Sequence, residues 1–440
     1  MKWWESDWIH NLGKRQVHYM RVEDCKIAKW AQELGTPLYL YDEEVLHDRY
    51  HQLRMSLHPS VDIGLSLKAN NNISLAARLR RWGSCVEVAS MGELHLARLA
   101  GFPPERIIFS GPGKTAEELE NALEYGIYCI NAESFDEVDR IAALAAERKF
   151  TAGIGIRINP NMSIVNTAIR MGGLPRQFGI DESSLTAMVK KLKCMPNISF
   201  KGIHIYSGTQ ILDSNQIIKA FNYTINLAKE LQIEHGLNFE FIDLGGGFGV
   251  PYFSHEKELD IEHVCRETNK LVAEYLQHSP KTRFMIETGR FLLAESGAYV
   301  ARVLYVKESK GEKFLILDGG MHHHVSSTFR GRTMRNNFPV RLVRSNGTPA
   351  QGNLERVNLV GPLCTPEDCL AKDIELPEAN AGDYIMLLKS GAYGLSYSPL
   401  QFLGHPTPLE ALVANGKLSV IRERGDVSDL LRHQYLPKDI

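Results

Sequence analysis

The sequence predicts an α/β protein, a (β/α)8 barrel of the TIM type joined to a β-rich domain. Three observations point there. Eight short, nearly continuous apolar runs recur between Asp62 and Gly289, each ending in small or polar residues; helical patterns with readable starts separate them; and after Arg290 the texture turns to strand-like runs without regular helices. Strands buried on both faces read as continuous apolar runs, and eight strand–helix units over roughly 230 residues suit a closed barrel of ~250. A doubly wound open sheet is the alternative.

In order, the runs are DIGLSLKA (Asp62–Ala69), CVEVAS (Cys85–Ser90), IIFSG (Ile107–Gly111), YCINA (Tyr128–Ala132), IGIRINP (Ile154–Pro160), GIHIYSG (Gly202–Gly208), FIDLGGG (Phe241–Gly247) and FMIETG (Phe284–Gly289). Between them, Thr115 with Glu118 and Ser134 with Glu137 have capping-box spacing, in which side chains satisfy the orphan amides of a first helical turn. Past Arg290, YVARVLYV, KFLILDGG and GDYIMLLKSGAYG read as strands. The N-terminal residues 1–35 contain HYMRV and fall outside the barrel repeat, so they are expected to pair with the later domain. The expected division is 36–292 for the barrel and 1–35 with 293–440 for the β-rich domain.

Composition narrows the function. With 440 residues, 44% hydrophobic and 23% charged, the chain can bury two cores. Its 50 basic and 52 acidic residues leave a net charge of -2, so no polycationic surface invites nucleic acid. No run approaches the ~20 apolar residues of a membrane span, and the N-terminus lacks a signal-peptide core, which predicts a cytoplasmic protein away from membranes. Seven cysteines without a framework spacing fit reduced thiols.

Barrel active sites form at the C-terminal ends of the strands. This nominates Lys68, Glu87 with Ser90, Ser110, Asn131, Arg157 with Asn159, His204 with Tyr206, Gly245 to Gly247, and Glu287 with Arg290. A lone glycine run is most often a tight turn. Here it follows the seventh strand, where barrels often bind phosphate, and glycines let backbone amides approach an anion. A lone lysine is most often solvated. At the first strand's end, desolvation would favour the neutral amine that forms an imine. An imine-forming lysine, a phosphate loop and a carboxylate at the eighth strand's end (Glu287) meet the needs of pyridoxal 5′-phosphate.

The stretch GPLCTPEDC (Gly361–Cys369) admits three readings: half a metal site, half a disulfide, or one catalytic thiol with an inert neighbour. Zinc lacks a second ligand pair at usable spacing. The MHHH run (Met321–His324) is expected to point adjacent histidines to opposite faces, as in an extended segment, so no metal is predicted there.

The motifs LSLKANNN, VEVASMGEL, LGGGFG, ETGR, GPLCTPED and SGAYG resemble, in order, those of the fold-type III pyridoxal-phosphate decarboxylases, which include diaminopimelate and ornithine decarboxylases. The resemblance spans nearly the whole chain. It implies a homodimer whose active sites are shared between subunits, with pyridoxal 5′-phosphate as cofactor. It implies Lys68 as the imine-forming lysine, Gly245, Gly246 and Gly247 at the phosphate, Glu287 at the pyridine nitrogen, and Glu87, Arg157, His204, Tyr206 and Thr209 around the cofactor. Cys364 would donate a proton from the other subunit. Arg290, Thr365 and Asp368 would meet substrate, and Tyr393 both cofactor and substrate.

Departures inform the substrate. Diaminopimelate decarboxylases resemble one another in having Cys-Glu-Ser at the thiol and an arginine after the first strand of the second domain. This chain has Cys364, Thr365 and Pro366, and Ser326 where that arginine would fall. Tyr206 stands where the family stacks a histidine on the ring. MGGLPRQFGID, GGGFGVPYFSHEK, DGGMHHHVSSTFRGR, GPLCTPEDCLAKD and FLGHPTPLE resemble the branch serving butirosin-type aminoglycoside assembly. That branch decarboxylates L-glutamate held through its side chain on an acyl carrier protein, giving a 4-aminobutyryl thioester. A tethered substrate has no free far end to clamp. Arg330 and Arg332 would then face the carrier protein. The alternatives are decarboxylation of a free diamino acid or a siderophore-precursor conjugate, racemisation, and an inactive cofactor-binding regulator.

Overall fold

A computed structural model describes residue 20 and residues 22–162, 169–170, 173–328 and 337–438. The chain forms two compact units, Tyr50–Leu292 and Met1–Arg49 with Leu293–Ile440.

The first unit is a closed parallel barrel. After β1 (Leu38–Asp42), which belongs elsewhere, its strands are β2 (Val61–Ser66), β3 (Cys85–Val88), β4 (Ile107–Phe109), β5 (Cys129–Ala132), β6 (Ala152–Asn159), β7 (Ile198–His204), β8 (Phe241–Gly246) and β9 (Arg283–Thr288). Each pairs in parallel with the next. β9 returns to β2, with Ile286 opposite Ile63 and Glu287 opposite Gly64, and this closes the ring. All eight expected runs are strands of this barrel. Near-complete burial explains their legibility, because a strand covered on both faces shows no alternation.

The barrel helices bury one apolar face each, as Leu119 and Ala122 do in Ala116–Tyr125. Thr115 forms a full capping box with Glu118. At Ser134 only half the box forms. Its side chain accepts from the Glu137 amide at 3.1 Å, while the Glu137 carboxylate takes the Glu133 amide at 2.7 Å. A second claimant, the buried Lys114 ammonium, holds that carboxylate at 2.7 Å.

The second unit is a mixed sheet of β1, β10 (Gly297–Ser309), β11 (Glu312–Leu317), β12 (Val340–Val343), β13 (Leu354–Val360), β14 (Cys369–Pro377), β15 (Tyr384–Leu387), β16 (Leu409–Ala414) and β17 (Lys417–Arg422). β1 lies between antiparallel β10 and parallel β16. Residues 38–42 thus leave the barrel to which 36–292 assigned them. LYLYD is buried at all five positions, so one more apolar run looked like barrel sequence. Of HYMRV, Met20 and Val22 are described, and they pack with the helix Asp24–Leu34 against Leu38, Leu40, Val300 and Met386.

The histidine run departs from expectation. Met321, His322 and His323 form a turn beyond β11 rather than an extended segment, so the His322 and His323 rings lie side by side with centroids 3.7 Å apart. The His405 ring lies 4.8 Å from that of His322, tilted by 40°. Burial holds His322 down at about 4 and His323 at about 3, so both rings are neutral packing groups. All seven cysteines are free. Among the described residues no helix is long and apolar enough to cross a membrane.

Candidate active site

The C-terminal strand ends of the barrel gather most of the nominated side chains. Lys68 sits in a single 3-10 turn after β2, with Nζ 3.1 Å from each Glu87 oxygen and 5.5 Å above the Tyr206 ring. Its side chain is 40% exposed, whereas Glu87 is 2% exposed. The lysine is therefore partly exposed, and the carboxylate that steadies it is walled in.

Glu287, at the end of β9, is 2% exposed and lies 3.6 Å from His204 Nε2. Nδ1 of His204 meets the Asn131 amide nitrogen at 3.1 Å, so it acts as acceptor and leaves the Nε2 proton facing Glu287. Burial alone would raise the Glu287 carboxyl. The neighbouring His204 imidazole, then Lys68 and Arg157, overcome this and hold it down at about 2. Asp243 goes the other way, pushed well up by burial and by the Glu287 charge. The corner thus carries one carboxylate charge. Donor atoms of His204, Asp243 and Glu287 lie within 4.8 Å of one another, close enough to hold a cation, and MHHH contributes none of them.

Arg157 at the end of β6 donates to Glu133 at 3.0 Å and covers the Phe178 ring at 4.9 Å. Glu133 also takes the amides of Gly111 at 2.8 Å and Gly179 at 3.0 Å. It ties three loops to one arginine. Arg290 donates to the Tyr252 hydroxyl at 3.1 Å.

The glycine loop is constrained by neighbouring backbone. A Cβ at Gly245, Gly246 or Gly247 would collide with the carbonyl of Ile205, Glu287 or Gly208 respectively, and Gly245 and Gly247 have φ of 68° and 93°. The Gly245 amide is committed to Asp243 Oδ1 at 2.9 Å and is not available to an anion. Thr209 lies beside this loop in a short antiparallel bridge with Ile169. Gln210, which sequence reasoning missed, clamps the loop. Its amide donates to Val250 O at 2.6 Å and accepts from Val250 N at 3.1 Å.

The other unit carries Cys364, Thr365, Asp368 and Tyr393. Cys364 is exposed in the turn between β13 and β14. Asp368, expected to meet substrate, is 3% exposed and spends its carboxylate on backbone amides. It accepts the amides of Met321 at 2.6 Å and Leu363 at 2.8 Å. A Cβ at Gly320 or Gly361 would strike its carboxylate. Asp368 therefore fastens the Cys364 turn to the turn after β11. Tyr393 adopts φ 54°, unusual for a bulky residue, and its carbonyl accepts from Ser326 Oγ at 2.6 Å. Arg330 and Arg332 lie outside the described residues.

A pyridoxal cofactor fits the barrel residues on one observation above all. Glu287 Oε1 is buried, and no side-chain nitrogen or backbone amide among the described residues makes a hydrogen bond to it. Such an atom is costly unless a ligand supplies the donor, and a protonated ring nitrogen does.

Residues 44–294 match the pyridoxal-binding domain of the pyridoxal-dependent decarboxylases. Over 420 residues the chain is 50% identical to L-glutamyl-[BtrI acyl-carrier protein] decarboxylase of Niallia circulans, across 94% of this chain and 97% of that protein. Diaminopimelate decarboxylase of Aquifex aeolicus is 31% identical over 404 residues, 92% of each. The crystal structure of diaminopimelate decarboxylase from Helicobacter pylori complexed with L-lysine matches with a TM-score of 0.83 at 32% identity, covering 92% of this chain and 98% of that one. A strand-end lysine, a buried carboxylate and a glycine loop thus meet a family match over more than half the chain: it belongs to the pyridoxal-dependent decarboxylases, carboxy-lyases that use pyridoxal 5′-phosphate.

Proposed function

We propose that the chain removes the α-carboxylate of an L-glutamyl group carried through its side chain as a thioester on an acyl carrier protein, leaving a 4-aminobutyryl thioester. The observation that carries this reading is the 50% identity, over nearly full length, to a relative whose name states that substrate. Uncharged residues at both far-end positions, Thr365 and Ser326, agree with it, since a thioester offers no charge to pair. An antibiotic-assembly pathway in the cytoplasm suits such a reaction, and a homodimer would let Cys364 of one subunit serve the barrel of the other.

When bound, the cofactor supplies an electron sink for the pair left on Cα as carbon dioxide departs. Lys68 would hold it covalently, the Gly246 and Gly247 amides its phosphate, and Tyr206 one face of its ring. Glu287, ionised across the working range, would keep the proton on the ring nitrogen, with His204 orienting the carboxylate. Arg157, braced by Glu133, adds positive potential to the same corner. The Cys364 thiol would then give its proton to Cα and recover one from water. One proton enters and one carbon dioxide leaves. Positioned acids of this kind contribute roughly 10²–10⁴-fold.

The test compares carbon dioxide release from γ-glutamyl carrier protein, free L-glutamate and free meso-diaminopimelate. Release is expected from the carrier-bound substrate alone. Equal or faster release from free diaminopimelate overturns the reading.

A further inference from the structure

Beside the Cys364 turn, one face of β11, β13 and β14 forms a groove of about 530 Å³. Phe314 lies opposite Asn358, Ile316 opposite Val360, and Val360 opposite Cys369. Alternation along the strands puts Phe314, Asn358 and Val360 on the groove face, so the groove runs along the strands from the Cys364 turn toward Lys372. Its upper end is walled by Thr365 and Pro366, held in place by the buried Asp368.

We propose that this groove takes the pantetheine arm through which a carrier protein presents its thioester, an inference that rests on the function proposed above. A proton delivered from Cys364 must reach Cα. In a γ-glutamyl thioester the carbonyl lies three carbons further on, a span of about 3.8 Å, one residue step along a backbone. The tether therefore leaves the reacting centre within one residue's reach of Cys364. The next residues in the chain, Thr365 and Pro366, are groove wall.

The lining suits an arm of gem-dimethyl carbon, amides and a hydroxyl. Phe314, Val360 and Leu363 offer apolar contact, and the Thr365 hydroxyl offers a hydrogen bond. Lys372, also in the lining, places a cation for the arm's polar end. Asn358 is spent internally, on Glu312 at 3.0 Å and the Asp373 amide at 3.0 Å, and so shapes the wall without competing for the arm.

Two measurements test this. The first is the preference for γ-glutamyl carrier protein over the γ-glutamyl thioester of N-acetylcysteamine, which lacks most of the arm, in Val360→Trp and Lys372→Glu. Filling the groove is expected to lower that preference at least tenfold, and charge reversal to lower it severalfold. The second is the rate at which iodoacetamide alkylates Cys369, a groove residue, followed by peptide mass spectrometry in the wild-type holoenzyme. Holo-carrier protein is expected to slow it severalfold. Unchanged preference in both variants, with unprotected Cys369 at carrier concentrations that saturate turnover, overturns the groove while leaving the proposed function intact. Failure to decarboxylate either thioester, with turnover of a free diamino acid, overturns both.

Discussion

The Glu287 corner of the barrel and the Cys364 turn of the β-rich unit are built on opposite plans. In the corner, Glu287, His204 and Asp243 are all buried, sit on or beside rigid strand ends, and crowd their polar atoms within 4.8 Å around one carboxylate charge. In the turn, the side chains that face outward are a thiol, a hydroxyl, a proline and the Glu367 carboxylate, and the fixing comes from the buried Asp368 carboxylate gripping backbone amides. Charge on strand ends is hard to alter without disturbing the barrel, so that region suits chemistry shared by a whole family. A loop held by its backbone can change its outward side chains freely, so it suits substrate choice.

The largest effect expected from breaking this contrast is Glu287→Gln. The amide keeps the shape and loses the charge, so kcat is expected to fall roughly 10³-fold with the cofactor still bound, read by absorbance and steady-state carbon dioxide release. Cys364→Ala is next: kcat about 10²-fold down, cofactor absorbance unchanged, and some substrate carbon protonated wrongly, read by product analysis in D2O. Normal turnover would remove the thiol from the mechanism.

Asp368→Asn sharpens the comparison. It replaces one acceptor with a donor facing an amide, costing about 1–3 kcal/mol of local stability. It should leave the cofactor spectrum alone, lower kcat about tenfold, and change the alkylation rate of Cys364.

The smallest effect concerns Glu93, beside Lys68 and Glu87 in charge range. Burial pushes its carboxyl up to about 7, against the amide of Ala89 and the Lys68 charge, which pull it down. An acid whose folded value is raised takes up a proton on folding, so it supports stability below its unfolded value of 4.5 and that support is lost as pH rises toward about 7. Glu93→Gln should flatten the fall in Tm between those limits, worth about 3 kcal/mol at most. A Tm profile unchanged by the substitution would refute it.

Sequence and structure agree best where burial is two-sided and local. All eight barrel strands could be read because parallel strands carry continuous apolar runs. The same rule misplaced Leu38–Asp42, since a central strand of any sheet shows the same burial. Glu133 and Gln210 were missed because each acts on backbone amides and carbonyls distant in sequence, and no local spacing encodes that. Asp368 was visible only as an acid near a thiol, and only its burial reveals that it faces inward. The histidine run was misread because a turn breaks the two-residue alternation of a strand.

The meeting of Gly320, Gly361 and Asp368 sets a rule for anyone redesigning this enzyme. The three form a lock spanning two loops, and adding a single methyl group to either glycine forces the carboxylate out. A mutant library aimed at new substrates should hold those three constant and draw its diversity from Thr365, Pro366 and Glu367. There the backbone is already anchored and the side chains face outward.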